Sequence, residues 1–185
     1  HAVSPARRAD VPRLVFATGN AHKVAELETI IAPLLPEGAG RIGRMSDFDV
    51  TEPVEDGASF EENSLIKARS LCAATGIAAL ADDSGLSVDI MGGAPGIFSA
   101  RWSGAHGNDR ANLELLLAQL SDVPLHLRGA AFVSAAALVL PDGREFVELG
   151  RVDGHLTTVP QGEQGFGYDP IFVPSGMDRT AAQLT

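Results

Sequence analysis

Two adjacent carboxylates, Asp82 and Asp83, are the residues of this sequence best suited to chemistry. They follow an apolar run at 77–81, bounded by Gly76, which predicts a short strand buried on both faces. Ligands bind at the carboxyl ends of strands in open α/β sheets, and paired carboxylates near a core need a neutralising cation. One interpretation is therefore a divalent-metal site with one carboxylate free to act as a base. The alternative is a solvated turn in which an Asp caps a backbone donor.

A polar segment at 18–23 follows a predicted strand at 13–17 and opens a predicted helix with apolar positions 24, 27, 30 and 31. Lys23 in the first helical turn opposes the helix dipole, and a bound anion would remove that cost. Free backbone N–H groups, Thr18, Asn20 and Lys23 would together form a phosphate cradle, although the Walker spacing is absent. In the alternative, Thr18 or Asn20 caps an ordinary helix and Lys23 is solvated.

A capping-box pattern, with Ser59 followed three residues later by Glu62, predicts a helix from Ser59 to Gly76. Lys67 lies on the same face of this helix as Asn63, four residues earlier. Most helical lysines are solvated, so this position alone does not indicate function. We interpret Cys72, on a packing face, as a core residue.

The second half of the chain predicts further sheet strands and one clear helix. Asn108 or Asp109 caps a helix with a leucine stripe, and an apolar strand at 129–140 turns at 141–143 into an antiparallel strand at 145–152. Short strands are expected near 41–44 and at 171–173, so the sheet should be mixed. Phe166, between glycines of the loop 162–167, either stacks on a flat ring or folds back into the core.

Length and charge limit the class of protein. The chain has 185 residues, enough for one domain, and a net charge of −10 that argues against a nucleic-acid groove. The single cysteine forms no internal disulfide, which fits a reducing cytoplasm. No apolar run reaches membrane-spanning length. Residues 1–12 carry arginines without an apolar stretch, so we expect a flexible extension and not a signal peptide.

Five segments occur in an order that resembles the Ham1 family, the inosine/xanthosine triphosphate (dITP/XTP) pyrophosphatases: TGNAHK at 18–23, SFEENSLIKA at 59–68, ADDSGLSVD at 81–89, GGAPGIFSARWSG at 92–104 and FGYDPIF at 166–172. The resemblance covers nearly the whole chain after Pro12. It implies an α/β fold with an elongated mixed sheet flanked by helices, and a single domain at 13–185 with an active-site cleft between two lobes. It also implies Mg²⁺ dependence, a homodimer and hydrolysis of ITP, dITP and XTP to the monophosphate and pyrophosphate.

The resemblance assigns roles to matching residues. It implies that Asp83 is the base and, with Glu55, a metal ligand; that Asp82 completes the acidic pair; and that Lys67 contacts phosphate. The implied substrate contacts are Thr18, Gly19, Asn20, Ala21, His22, Lys23, Lys67, Ser84, Phe166, Gly167, Tyr168 and Asp169. The family continues past the AAQLT at 181–185 into a helix with a lysine and a Ser-His-Arg segment that contact substrate. We therefore expect the C-terminal helix to be cut short here, either by a true truncation or because a disordered tail is omitted from the sequence. We favour omission, since Leu184 has no periodic partners after it; a true truncation would place base recognition in doubt.

Two other functions remain open at this point. One is a nucleotide-binding or sensor protein without turnover. The other is a Maf-type nucleotide pyrophosphatase, a family of related architecture. Glu55, Lys67, Asp82 and Asp83 favour the enzyme over the sensor.

Overall fold

A computed structural model describes residues 12–18, 21–31, 33 and 42–184. The extension predicted for 1–12 lies outside these residues, apart from Pro12. The helices and strands are β1 (Leu14–Phe16), α1 (Ala21–Ile31), β2 (Ile42–Arg44), α2 (Phe60–Thr75), β3 (Ala78–Val88), α3 (Asp109–Gln119), β4 (Gly129–Val139), β5 (Glu145–Leu156) and β6 (Phe172–Pro174). Short 3₁₀ turns lie at Met45–Asp47, Asp89–Met91, Gly96–Arg101, Leu125–Leu127, Asp169–Ile171 and Ala181–Gln183.

The strands form one mixed sheet, in the order β2-β1-β3-β4-β5-β6. β1 lies parallel to β2 and β3, with Phe16 opposite Arg44 on one side and Leu80 on the other. β5 and β6 are antiparallel, with Leu156 opposite Phe172. The mixed α/β sheet predicted from the sequence is therefore confirmed.

The chain divides into two compact units, each with its own core. Unit 1 comprises the described residues up to Asp83 together with Ala135–Glu148, and unit 2 comprises Ser84–Ser134 and the residues from Leu149 onward. Cys72 lies in the core of unit 1, as predicted, and burial raises the pKa of its thiol. The core of unit 2 contains Leu86, Val88, Leu113, Leu116, Leu120, Ala130, Leu156, Tyr168, Ile171 and Phe172. The single-domain assignment and the active-site cleft stay predictions.

β3 differs from the sequence prediction, which ended the strand at residue 81. It continues to Val88, so Asp82 and Asp83 lie inside the strand. Gly85 makes no turn; a Cβ there would lie 2.5 Å from Ser99 Oγ and 2.6 Å from Gly96 O. A close approach, and not a change of chain direction, explains this glycine. The neighbouring parallel strand β1 does end at this level of the sheet, because its last residue, Phe16, pairs with Leu80 of β3. Asp82 and Asp83 therefore lie just beyond the carboxyl end of β1.

α2 and α3 begin at the predicted caps. Ser59 Oγ accepts a hydrogen bond from Glu62 N at 3.1 Å, and the Glu62 carboxylate accepts from Ala58 N at 2.6 Å. Of the two candidate caps for α3, Asn108 is the one that accepts from Ala111 N, at 3.1 Å. In the described part of the chain, no helix is long and apolar enough to span a membrane.

We expect Ser59→Ala to lower the free energy of unfolding by about 1 kcal/mol, because the amide of Glu62 loses its acceptor. Urea denaturation measures the difference. Ser121→Ala, a change at an exposed residue, is the control. Equal losses in both variants would contradict the capping role.

Candidate functional site

Asp82 and Asp83 are neutralised by different lysines. Side chains of successive strand residues point to opposite faces, so the adjacent carboxylates of β3 diverge. Lys23, from the first turn of α1, lies 2.8 Å from Asp82 Oδ2, with the two side chains 23% and 19% exposed. The ion pair contradicts both a solvated Lys23 and a solvated acidic turn.

Lys67 lies at the centre of a group of oxygens. Its Nζ is 3.1 Å from Glu55 Oε1 and 4.0 Å from Asp83 Oδ1, and it also donates a hydrogen bond to the backbone carbonyl of Asp82. The side chain is 19% exposed. Lys67 is therefore a largely desolvated cation that interacts with two carboxylates, whereas a typical helical lysine is solvated.

The surroundings of Asp83 shift the pKa of its carboxyl group upward. Burial raises its pKa, the charge of Lys67 lowers it less strongly, and the charge of Glu55 raises it further. Its Oδ2 atom is buried and accepts no hydrogen bond from the residues that the structure describes. A carboxylate with a raised pKa and an unused lone pair is suited to accept a proton.

Asn63 is a positioning residue that the sequence analysis did not assign. Its side chain is buried and accepts a hydrogen bond from Gly57 N at 2.8 Å, which holds the segment carrying Glu55 against α2. The same side chain lowers the pKa of Asp83, as a smaller effect than that of Lys67. Its place four residues before Lys67 was the available signal.

A cavity of about 150 Å³ lies beside this cluster within unit 1. Thr18, Glu55 and Lys67 all line it, together with Glu52 and Ser70. A second cavity, of about 280 Å³, shares Thr18 and Glu52 with the first. Thr18 of the predicted phosphate segment therefore borders the same space as Glu55, one of the two predicted metal ligands, and Lys67, the predicted phosphate contact.

The two carboxylates around Lys67 are of the type that binds a small divalent cation whose coordination the substrate completes. Among residues 12–18, 21–31, 33 and 42–184, no group of three His, Cys, Asp or Glu side chains is arranged to hold a metal. Mg²⁺ is usually bound by one or two carboxylates plus substrate phosphates and water. Glu55, which lines the cavity, and Asp83, which lies near the same Lys67 ammonium, supply two carboxylates.

The segment 166–169 forms a second cluster, within unit 2. Phe166 is 47% exposed, which excludes the alternative that it folds back into the core and leaves the ring-stacking role as a prediction. Phe166 N donates to Asp169 Oδ2 at 3.0 Å, and Gly167 N donates to Asp109 Oδ2 at 3.1 Å. Tyr168 is buried, donates to the Ser99 carbonyl at 2.7 Å, and has a raised pKa because of that burial.

Comparisons with known proteins identify the family. The family model described as the Ham1 family matches residues 14–185. The chain belongs to the Ham1 family. A dITP/XTP pyrophosphatase of Corynebacterium efficiens is 52% identical over 94% of this chain and 86% of its own. A dITP/XTP pyrophosphatase of Streptomyces avermitilis is 54% identical over the same shares.

Solved Ham1-family structures share the fold. A nucleoside-triphosphatase, or dITP/XTP pyrophosphatase, of Mycobacterium abscessus is 53% identical, with a TM-score of 0.82 over 93% of this chain and 88% of that one. A HAM1 protein of Coxiella burnetii is 34% identical, with a TM-score of 0.85 over 95% and 88%. The resemblance found in the sequence motifs and the α/β fold that it implied are both confirmed.

The structure places most residues that the Ham1 resemblance singled out. Ser84 follows Asp83 in β3 and is half-buried, whereas Gly19 and Asn20 lie outside the described residues. Ala21 and His22 begin α1, and their side chains are also outside the description. The residues brought together in unit 1 are Thr18, Lys23, Glu55, Lys67, Asp82 and Asp83. The roles of all these residues stay predictions.

We expect Asp83→Asn to raise the melting temperature at pH 7 in metal-free buffer. The native carboxyl has a raised pKa, so it binds its proton more tightly than in the unfolded chain, and its ionisation opposes folding. Asparagine carries no charge, which removes this cost. The gain should disappear below about pH 4, where the unfolded carboxyl is also protonated.

Thermal unfolding from pH 3 to pH 8 checks this expectation. Asp122→Asn is the control, since it removes one negative charge from an exposed residue and changes the net charge equally. A lower melting temperature for Asp83→Asn, with that of Asp122→Asn unchanged, would show instead that the ionised carboxylate stabilises the fold.

Proposed function

We propose that this chain hydrolyses inosine and xanthosine triphosphates, including dITP, to the nucleoside monophosphate and pyrophosphate. The Corynebacterium and Streptomyces relatives, named dITP/XTP pyrophosphatases, support this proposal at 52% and 54% identity. The observation that carries it is the desolvated Lys67 between Glu55 and Asp83. Membership of the Ham1 family sets aside the Maf-type alternative.

Hydrolysis of a triphosphate needs a water that loses its proton and cations that stabilise the developing negative charge. Asp83 takes the proton, because its raised pKa and unused oxygen suit a base. Lys23 and Lys67 neutralise phosphate oxygens as the pyrophosphate leaves. Glu55 and Asp83 would hold Mg²⁺, which supplies Lewis-acid polarisation of the phosphate when bound.

The segment 166–169 holds the base in this proposal. The exposed ring of Phe166 offers a face for stacking on a purine. Asp169, whose pKa burial raises, adds a polar group close to that ring. Ser84, directly after Asp83 in β3, contacts the substrate.

The remaining proposals concern the setting of the enzyme. The net charge of −10 supports a small-molecule substrate over a nucleic-acid polymer. The single cysteine supports a reducing cytoplasm as the place of action. The family resemblance supports a homodimer, and exposed apolar side chains on one face of β5, Phe146 and Val152, are available for such a contact.

Pyrophosphate release from a panel of triphosphates with Mg²⁺ tests the activity. We expect dITP, ITP and XTP to be hydrolysed far faster than ATP, GTP or TTP. Asp83→Asn should be slower by roughly 10²–10⁴, the usual contribution of a positioned base. A mock purification from cells that lack the protein controls for contaminating phosphatases. Binding of dITP without any release would instead favour the sensor function. Equal rates for wild type and Asp83→Asn would move the base to another residue.

Lys67→Met tests the phosphate role. We expect a loss in kcat/KM for dITP on the order of 1.5–3 kcal/mol, the cost of a lost hydrogen bond to a charged group. Arg69→Met is the matched control, because it removes a cation from the same helix and an exposed ion pair with Glu145. Equal kinetic losses in both variants would show a general effect of charge and not a contact with phosphate.

A further inference from the structure

The turn that presents Phe166 is held by two carboxylates. Its consecutive amides, those of Phe166 and Gly167, donate to Asp169 and Asp109 respectively. Gly165 has a φ of +73°, and a Cβ there would lie 2.1 Å from Asp169 Oδ2, so only glycine fits this turn. The conformation around the exposed ring is therefore specified by both backbone and side-chain contacts.

The two carboxylates hold the turn in different ways. Asp169 lies three residues from the amide it binds, so this contact shapes the turn internally. Asp109 is 58 residues away, at the first position of α3, so its contact fixes the turn relative to that helix. A hydrogen bond from an amide to an ionised carboxylate is stronger than one between neutral groups.

α3 does not need Asp109 as its cap. Asn108 is the N-cap residue, and its side chain accepts from Ala111 N at 3.1 Å. Burial raises the pKa values of Asp169 and Tyr168, and the charge of the Asp109 carboxylate raises both further, as a smaller effect, so Asp109 lies close enough to interact unfavourably with neighbouring anionic groups. An acidic residue in the first turn also interacts favourably with the helix dipole, and the contact with Gly167 is a second role for this carboxylate beyond the helix itself.

We propose that Asp109 is a positioning residue for base recognition, which holds the Phe166–Gly167 peptide so that the Phe166 ring is presented to the purine. The proposal rests on the proposed function in taking 166–169 as the base-holding segment. A glycine such as Gly167, at a φ of +61°, has many accessible conformations, so the turn needs external contacts to keep one of them. Asp109 supplies such a contact.

The effect should appear in binding and in base selectivity. Lys23, Lys67, Asp82 and Asp83, to which the proposed hydrolysis is assigned, belong to another cluster. Loss of Asp109 should therefore leave the chemical step intact while the ring and the polar groups beside it lose their alignment. A misaligned polar site discriminates less between bases, because the wrong base no longer leaves groups unpaired.

Three variants test the proposal, with kcat and KM measured for dITP and dATP in the presence of Mg²⁺. Asp109→Ala should raise KM for dITP roughly tenfold and leave kcat within about twofold, since the lost binding energy is the same in the ground state and the transition state. Asp109→Asn should recover most of the affinity, because its amide oxygen still accepts from Gly167 N. Asn108→Ala, the matched control, should lower the melting temperature through the lost cap and leave KM within about twofold.

Hydrogen exchange of the Gly167 amide gives a second readout that does not depend on activity. Exchange should accelerate in Asp109→Ala and not in Asn108→Ala. Binding of inosine monophosphate and AMP, measured by calorimetry on the same proteins, reports base recognition without turnover. The preference for inosine monophosphate over AMP should fall in Asp109→Ala even if the wild type releases no pyrophosphate. Failure of the proposed hydrolysis is therefore distinguishable from failure of the role proposed for Asp109.

Three results would overturn the proposal. Equal rises in KM for Asp109→Ala and Asn108→Ala would trace the effect to helix stability. A fall in kcat at constant KM in Asp109→Ala would place Asp109 in the chemical step. Unchanged affinity for inosine monophosphate in Asp109→Ala would show that the turn keeps its conformation without this contact.

Discussion

The interaction on which the functional cluster depends is the contact of the Lys67 ammonium with Glu55 and Asp83. Carboxylates that are largely removed from water remain ionised only if a cation lies close to them. Lys67 provides that cation and also binds the carbonyl of Asp82, so one ammonium organises a loop residue and a strand. Three local features position Lys67 between these carboxylates. They are the Ser59 cap, the length of α2 and the hydrogen bond from Gly57 N to Asn63.

The cluster also explains how an acidic chain would handle a polyanion. The protein has a net charge of −10, so its overall field repels a triphosphate. Its sequence contains two lysines, Lys23 and Lys67, and both lie in this cluster. The other twelve of its 14 Lys and Arg residues are arginines. A compact ammonium can exchange a carboxylate partner for a phosphate oxygen without the fixed geometry that a guanidinium requires.

Carboxylates serve two different purposes in the two units. In unit 1, burial and nearby charges leave Asp83 with a raised pKa and an unused oxygen, which are properties of a reactive group. In unit 2, Asp109 and Asp169 accept hydrogen bonds from backbone amides and hold a glycine-rich turn. Residue type alone does not separate these purposes; the difference lies in whether the oxygens already have donors.

The sequence by itself determined the family, the mixed α/β fold, the helix caps and most residues of the unit 1 cluster. These depend on local periodicity, on capping chemistry and on motifs in a fixed order, all of which are readable along the chain. Only the tertiary structure decided that β3 continues through Asp82 and Asp83, because β3 lies between β1 and β4 in the sheet and strand pairing joins residues distant in sequence. The exposure of Phe166, the clamp by Asn63 and the contact of Asp109 with Gly167 were decided in the same way. The last joins residues 58 positions apart, and no local pattern encodes such a hydrogen bond.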